Sequence, residues 1–284
     1  MRRLAAAIAA AFLTIAFAGP VAASSSDQHA VHYYLSLGDS LAAGVQPTGD
    51  PADMYRTSDG YADQLYVMAK DHFPKLQLVK LGCPGETTAT MIDGGICSYE
   101  DGSQLAAALE FLHAHARHTS LITIDIGWND VAPAEACILQ GLAAPETCIK
   151  PGIDSIAEHL PGILAALAAE APGVPIVAMN MYDPFLAYWL AGSDGKQLAY
   201  LSVNLLVGIN GLEEQIYTAA GIPVAGVQAA FFTTDFTPVA PSGLPHNVAT
   251  ICAWTWKCSV GDNHANHDGY HAIALAFAHE LGWT

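Results

Sequence analysis

Two segments, Leu121-Ile122-Thr123-Ile124-Asp125-Ile126 and Val174-Pro175-Ile176-Val177-Ala178-Met179, are nearly continuous apolar runs. A strand with one wet face alternates apolar and polar residues. A run that is apolar on both faces has to be covered on both, as in a parallel sheet packed between two layers of helices. Three further short runs, at 31–37, 76–81 and 223–227, have strand length and apolar or β-branched content. Between them lie stretches of helical length with apolar residues three and four apart, at 61–72, 103–115, 153–170 and 196–220, with a last one at 271–281. This βαβ rhythm predicts a three-layer α/β/α sandwich around a five-stranded parallel sheet.

The amino terminus has a different character. Arg2 and Arg3 precede an apolar run from Leu4 to Phe17, and Val21-Ala22-Ala23 offers small residues for cleavage. Residues 1–23 therefore read as an export signal cleaved near Ala23, because the run is too short for the roughly 20 residues of a spanning helix. A secreted protein is expected, with 24–284 as one domain and no stable membrane insertion. The signal removes two arginines and no carboxylate, so the net charge of −17 becomes −19. Such an acidic surface argues against a nucleic-acid partner.

All six cysteines lie beyond the signal and fall into local couples: Cys83 with Cys97, Cys137 with Cys148, and Cys252 with Cys258. In an exported chain this predicts three short-loop disulfides. Zinc ligation is the competing reading, but no CxxC spacing is present. Two of the couples fall in the segments 131–152 and 228–266, which read as long loops that a disulfide would brace. The segment 183–194, with Phe185, Tyr188 and Trp189, reads as a further loop with exposed rings. Lining an apolar substrate groove and plain packing are its two alternatives.

The unusual polar and glycine residues cluster after the strands. Gly38-Asp39-Ser40 follows the first, Gly82 to Thr88 the second, and Gly127-Trp128-Asn129-Asp130 the third. These are the carboxyl ends of neighbouring parallel strands, where open α/β sheets place their ligands. A serine, backbone N–H groups and an asparagine amide facing one point are parts for attacking a carbonyl and holding the resulting oxyanion. A base is available in the histidine-rich stretch 261–271.

In this order, these blocks resemble the SGNH, or GDSL-type, hydrolase superfamily. Ser36 to Gly44 matches its nucleophile block, Gly82 its glycine block, Gly127-x-Asn129-Asp130 its GxND block, and His264-Ala265-Asn266-x-x-Gly269-Tyr270 its terminal histidine block. The resemblance implies a flavodoxin-like sandwich and no cofactor. It implies Ser40 as nucleophile, with an oxyanion hole formed by the Ser40 and Gly82 N–H groups and the Asn129 side chain. It also implies a secreted esterase or lipase acting on a small-molecule or lipid ester, and a monomer is expected. A glycan deacetylase acting on acetyl-sugars and an acyltransferase are the alternatives on the same fold.

This chain departs from the pattern at the histidine. Asn266 and Gly269-Tyr270 align His264, but the usual acid three residues earlier falls on Gly261. Asp262 is the substitute, unless a backbone carbonyl orients the ring. The rival frame takes Asp268 and His271 as the pair. A metal-binding reading of Asp262, His264, His267, Asp268 and His271 leaves Ser40 and Asn129 unexplained, and no metal is expected. A non-catalytic carbohydrate-binding module is disfavoured by retention of Ser40, Gly82, Asn129 and His264. Asp39 and Asp130 read as hydrogen-bonding loop backbone, His113, His115 and His118 as surface or capping residues, and Tyr61 and Trp128 as packing, with Trp128 placed to border an acyl pocket.

Overall fold

The computed structural model describes residues 31–140 and 143–283, so the export signal expected over 1–23 lies outside the described residues. The first half of the chain runs β1 (His32–Gly38), α1 (Ser40–Ala43), α2 (Tyr61–Ala69), β2 (Leu76–Lys80), α3 (Thr88–Asp93), α4 (Gln104–His115), β3 (Thr119–Asp125) and α5 (Trp128–Val131). It continues with α6 (Ala134–Leu139), α7 (Pro145–Glu170), β4 (Ile176–Met179), a 3-10 helix (Pro184–Ala191), α8 (Gly192–Ala219), β5 (Val224–Ala225), α9 (Val227–Ala230), α10 (His246–Trp254), α11 (Lys257–Val260) and α12 (His267–Glu280). The five strands pair in parallel in the order β2-β1-β3-β4-β5. Strand order reverses at β1, so the crevice between the ends of β1 and β3 is the topological switch point.

Side chains on successive strand residues point to opposite faces, and the two faces build two cores. Tyr34, Leu121, Val177 and Met179 pack with Tyr61 and Leu65 of α2 and with Ile273 and Phe277 of α12. Leu35, Leu37, Ile122, Ile124 and Ala178 pack on the other side with Leu112 of α4 and with Ile156, Leu160 and Leu164 of α7. This double coverage is why 121–126 and 176–179 read as nearly continuous apolar runs.

Three expectations need correcting. The segment 131–152 is largely helical, because α6 occupies 134–139 and α7 begins at Pro145, well before 153. Pro151 and Pro161 lie inside α7 but on its exposed face. The carbonyls that they leave unpaired can turn to water, so the helix continues. Gly152 lets that helix approach α5 closely; a Cβ there would lie 2.3 Å from the Asp130 carbonyl oxygen. The segment 183–194 is not an open loop either, since Pro184–Ala191 is a 3-10 helix whose Phe185, Tyr188 and Trp189 are half-buried. Finally, 228–266 contains α10 and α11, and the last helix starts at His267.

The cysteines pair as Cys83–Cys97, Cys137–Cys148 and Cys252–Cys258. Among the described residues, no helix is long and apolar enough to cross a membrane.

Candidate active site

Ser40 sits at the first position of α1, directly beyond the end of β1. Gly38 makes that turn possible. Its φ is +134°, and a Cβ there would lie 2.0 Å from the Asp125 carbonyl oxygen on β3, so only glycine fits without moving the neighbouring strand. Asp39 caps the helix, its carboxylate accepting the Leu41 N–H at 2.9 Å, and its own N–H donates to the Asp125 carbonyl. Gly82 also lies close against the serine's helix, since a Cβ there would lie 2.6 Å from the Cβ of Ala42. Ser40 and Gly82 are buried, and their N–H groups donate to no acceptor among the described residues.

Asn129 lies in α5, just past the end of β3. Its amide nitrogen donates to the Glu86 carbonyl at 2.9 Å and to the Asp39 carboxylate at 3.2 Å. Asp130 turns the other way and accepts from the Thr88 N–H and hydroxyl and from the Ser155 hydroxyl, which ties α5 to the start of α3 and to α7.

His264 arrives from the far end of the chain and is held by local devices. Its Nδ1 lies 2.7 Å from Asp262 Oδ1, and its own N–H donates to the same oxygen at 2.8 Å. The backbone on either side is pinned: Trp256 N–H donates to the His264 carbonyl, Asn266 N–H donates to the Trp254 carbonyl, and Thr255 bridges Ala265. The Cys252–Cys258 disulfide closes the loop that carries those partners. Asn266 caps α12 by accepting the Gly269 N–H at 3.1 Å. Gly269 touches the Trp254 carbonyl, which a Cβ would meet at 2.1 Å. The buried Tyr270 hydroxyl donates to the Val45 carbonyl at 2.7 Å, joining α12 to the loop after the serine's helix. Each residue of the terminal block beyond His264 thus has a positional task.

Ser40 and His264 line one cleft of roughly 370 Å³, together with Asp39, Trp128, Met181 and Tyr182. His271 is elsewhere, exposed on α12 with Nδ1 on Gln64, and His267 pairs with Asp59. The histidine-rich stretch is therefore dispersed in space. Among the described residues, no group of three or more His, Cys, Asp or Glu is placed to hold a metal ion. His113 forms an exposed pair with Glu170.

Beneath the serine lies a buried polar layer that sequence reading did not identify. The Gln104 side-chain amide accepts the Gly38 N–H, donates to the Gly38 carbonyl and also donates to Glu86. Tyr61, expected as packing, donates its hydroxyl to Asp125 while stacking on Phe277. Burial raises the carboxyl pKa values of Asp39, Glu86 and Asp125, and for Asp125 the neighbouring Asp39 charge adds to the effect. At the histidine end, burial alone would raise Asp262, but its hydrogen bond to His264 and the charges of His264 and Lys257 outweigh that and hold it below its ordinary value. Tyr182, whose hydroxyl donates to the Asn263 carbonyl, was also missed. It follows β4, so extending the strand-end rule to the fourth strand would have found it. Gln104 carries no comparable local signal.

A five-stranded parallel sheet covered by helices on both faces, with a serine and a histidine lining one cleft at its switch point, defines a hydrolase of the three-layer α/β/α sandwich class. The family model described as the GDSL-like lipase/acylhydrolase family matches residues 36–272, and the chain belongs to that family. Solved structures share the fold. An extracellular lipase from Streptomyces rimosus superposes with a TM-score of 0.60 at 20% identity, covering 88% of this chain and 100% of that one. Phospholipase A1 from Streptomyces albidoflavus gives 0.56 at 17%, with 88% and 100% covered. A variant of an acetyl xylan esterase from Geobacillus stearothermophilus gives 0.51 at 16%, with 89% and 95% covered. No curated protein matches the chain.

Proposed function

We propose that the protein is an exported serine esterase or lipase in which Ser40 and His264 form the nucleophile and base. The observation that carries this reading is their shared cleft at the β1/β3 switch point, with His264 Nδ1 committed to Asp262. That bond fixes the tautomer and leaves Nε2 as the nitrogen for the serine. Ser40 Oγ attacks the ester carbonyl as Nε2 takes its proton, and the proton passes to the departing alkoxide. Water, deprotonated by the same nitrogen, then attacks the acyl-serine, and Ser40 recovers its proton as the acid is released.

The oxyanion is assigned to the free Ser40 and Gly82 N–H groups and to the Asn129 amide. Asn129 reaches it by giving up its longer bond, the 3.2 Å contact to Asp39. Export is supported by the three disulfides, which persist in oxidising compartments, and by the amino-terminal signal read from residues 1–23.

Hydrolysis of p-nitrophenyl acetate tests the chemistry. The oxidised protein is expected to turn it over, Ser40→Ala to abolish turnover, and Asn129→Ala to lower it by about 10²- to 10³-fold. Turnover that survives Ser40→Ala would overturn the assignment.

A further inference from the structure

A second space opens beside the cleft, between α6, the 3-10 helix and α8. It holds roughly 640 Å³, its open side included, and its walls include Trp128, Ile138, Phe185, Leu205, Leu206 and Ile209. Close-packed interiors rarely leave a void larger than a water molecule, whereas pockets for small organic ligands have about this volume.

The carboxylates and hydroxyls on its wall are already engaged. Glu135 accepts from the Tyr188 hydroxyl, and Asp183 accepts from the Ser202 hydroxyl and the Phe185 N–H. Burial pushes the Asp183 carboxyl up to about 7, favouring its neutral form. The wall therefore has little to offer a sugar and much to offer a hydrocarbon. Trp128 is the link, because it also lines the cleft that contains Ser40 and His264. The wall is braced as well: Cys137–Cys148 joins α6 to the start of α7, and Tyr188 ties the 3-10 helix to α6 through Glu135.

We propose that this space is the acyl-chain site and that the substrates are medium- or long-chain fatty acyl esters rather than acetyl esters. The proposal rests on the reading of Ser40 as the nucleophile. The leaving alkoxide takes its proton from His264, so the alcohol departs past His264 and Asn263. Neither residue lines the apolar space, which instead adjoins the cleft at Trp128, next to the Asn129 amide. The chain on the carbonyl carbon is the part of the substrate that faces it.

The test is kcat/KM across p-nitrophenyl esters from acetate to octanoate, in the wild type and in two variants that fill the space from opposite walls, Leu205→Trp and Ala132→Phe. Neither residue belongs to the catalytic machinery. Each buried methylene is worth about fourfold, so the six carbons that octanoate adds to acetate predict a preference of about 10³-fold or more in the wild type. Either variant should bring octanoate to within about tenfold of acetate while acetate hydrolysis, which also reports folding, stays within about twofold of wild type.

A flat chain-length series in the wild type overturns the proposal. So does octanoate preference that persists in both variants, or a preference governed by the alcohol chain of acetate esters instead. Acetate has no chain to fill the space, so Ser40→Ala on acetate tests the nucleophile separately. Ser40-dependent acetate hydrolysis without octanoate preference sinks the acyl site alone.

Discussion

The serine and the histidine are held in place by opposite means. Ser40 is buried, and its position is set by contacts from distant parts of the chain: Gly38 lies against β3, Gly82 lies against α1, and the Gln104 side chain holds both the N–H and the carbonyl of Gly38. His264 is half-exposed and is set by short-range devices: an aspartate two residues away, one bridge to residues 254–256, and a disulfide spanning six positions. The electrostatics differ in the same way. Burial raises the carboxyls under the serine, whereas the histidine keeps Asp262 low. The serine's position is thus a property of the whole sheet and the histidine's mainly one of its own loop, to which Tyr182 adds one tie from the end of β4. Damage at the first should appear as lost stability, and damage at the second as lost turnover.

Asp262→Asn should give the largest effect. Its amide cannot stabilise the imidazolium or enforce the tautomer, so kcat should fall by about 10³- to 10⁴-fold while the thermal midpoint at neutral pH falls only slightly. A loss below about tenfold would mean that backbone holds the ring, and the contrast between the two ends would weaken. Next comes Gly38→Ala, expected to cost about 4 kcal/mol in urea denaturation because β3 must move. Retained stability there would show the turn to be far softer than its geometry implies.

Replacing Cys252 and Cys258 together with serine should cost about 2 kcal/mol, the scale for so short a loop, with a larger proportional loss in kcat than in stability. Asn266→Ala removes the cap of α12 and should cost about 1 kcal/mol. The smallest effect is in pH. Asp262 is depressed in the fold, so its contribution to stability is present above about pH 4 and is lost as pH falls through its folded value. Melting curves of wild type and Asp262→Asn should therefore converge in acid. The raised carboxyls of Asp39 and Asp125 act with the opposite sign, lowering stability as pH rises from about 4 through their folded values.

The same division decided what the sequence disclosed. The sheet was legible because strands covered on both faces leave no polar alternation, and Ser40, Gly82 and Asn129 stood out because they follow strands. His264 was legible through Asn266, Gly269 and Tyr270, each needed at a fixed offset to cap and anchor α12. The helical content of 131–152 was not, because a proline on the exposed face of α7 reads locally like a break. Nor was the 3-10 helix at Pro184–Ala191, whose half-buried rings look in isolation like a surface loop. Gln104 was hidden because its partner lies 66 residues away, and nothing near it in the chain marks it.

The central claim is that Ser40 and His264 act as one couple. A fluorophosphonate probe, which traps an activated serine covalently, tests it most directly when the labelled residue is located by peptide mass spectrometry. The account predicts labelling of Ser40 in the wild type and in His271→Ala, and labelling slowed by about 10³-fold or more in His264→Ala. Label on another residue, or undiminished labelling of Ser40 in His264→Ala with loss in His271→Ala, would contradict it.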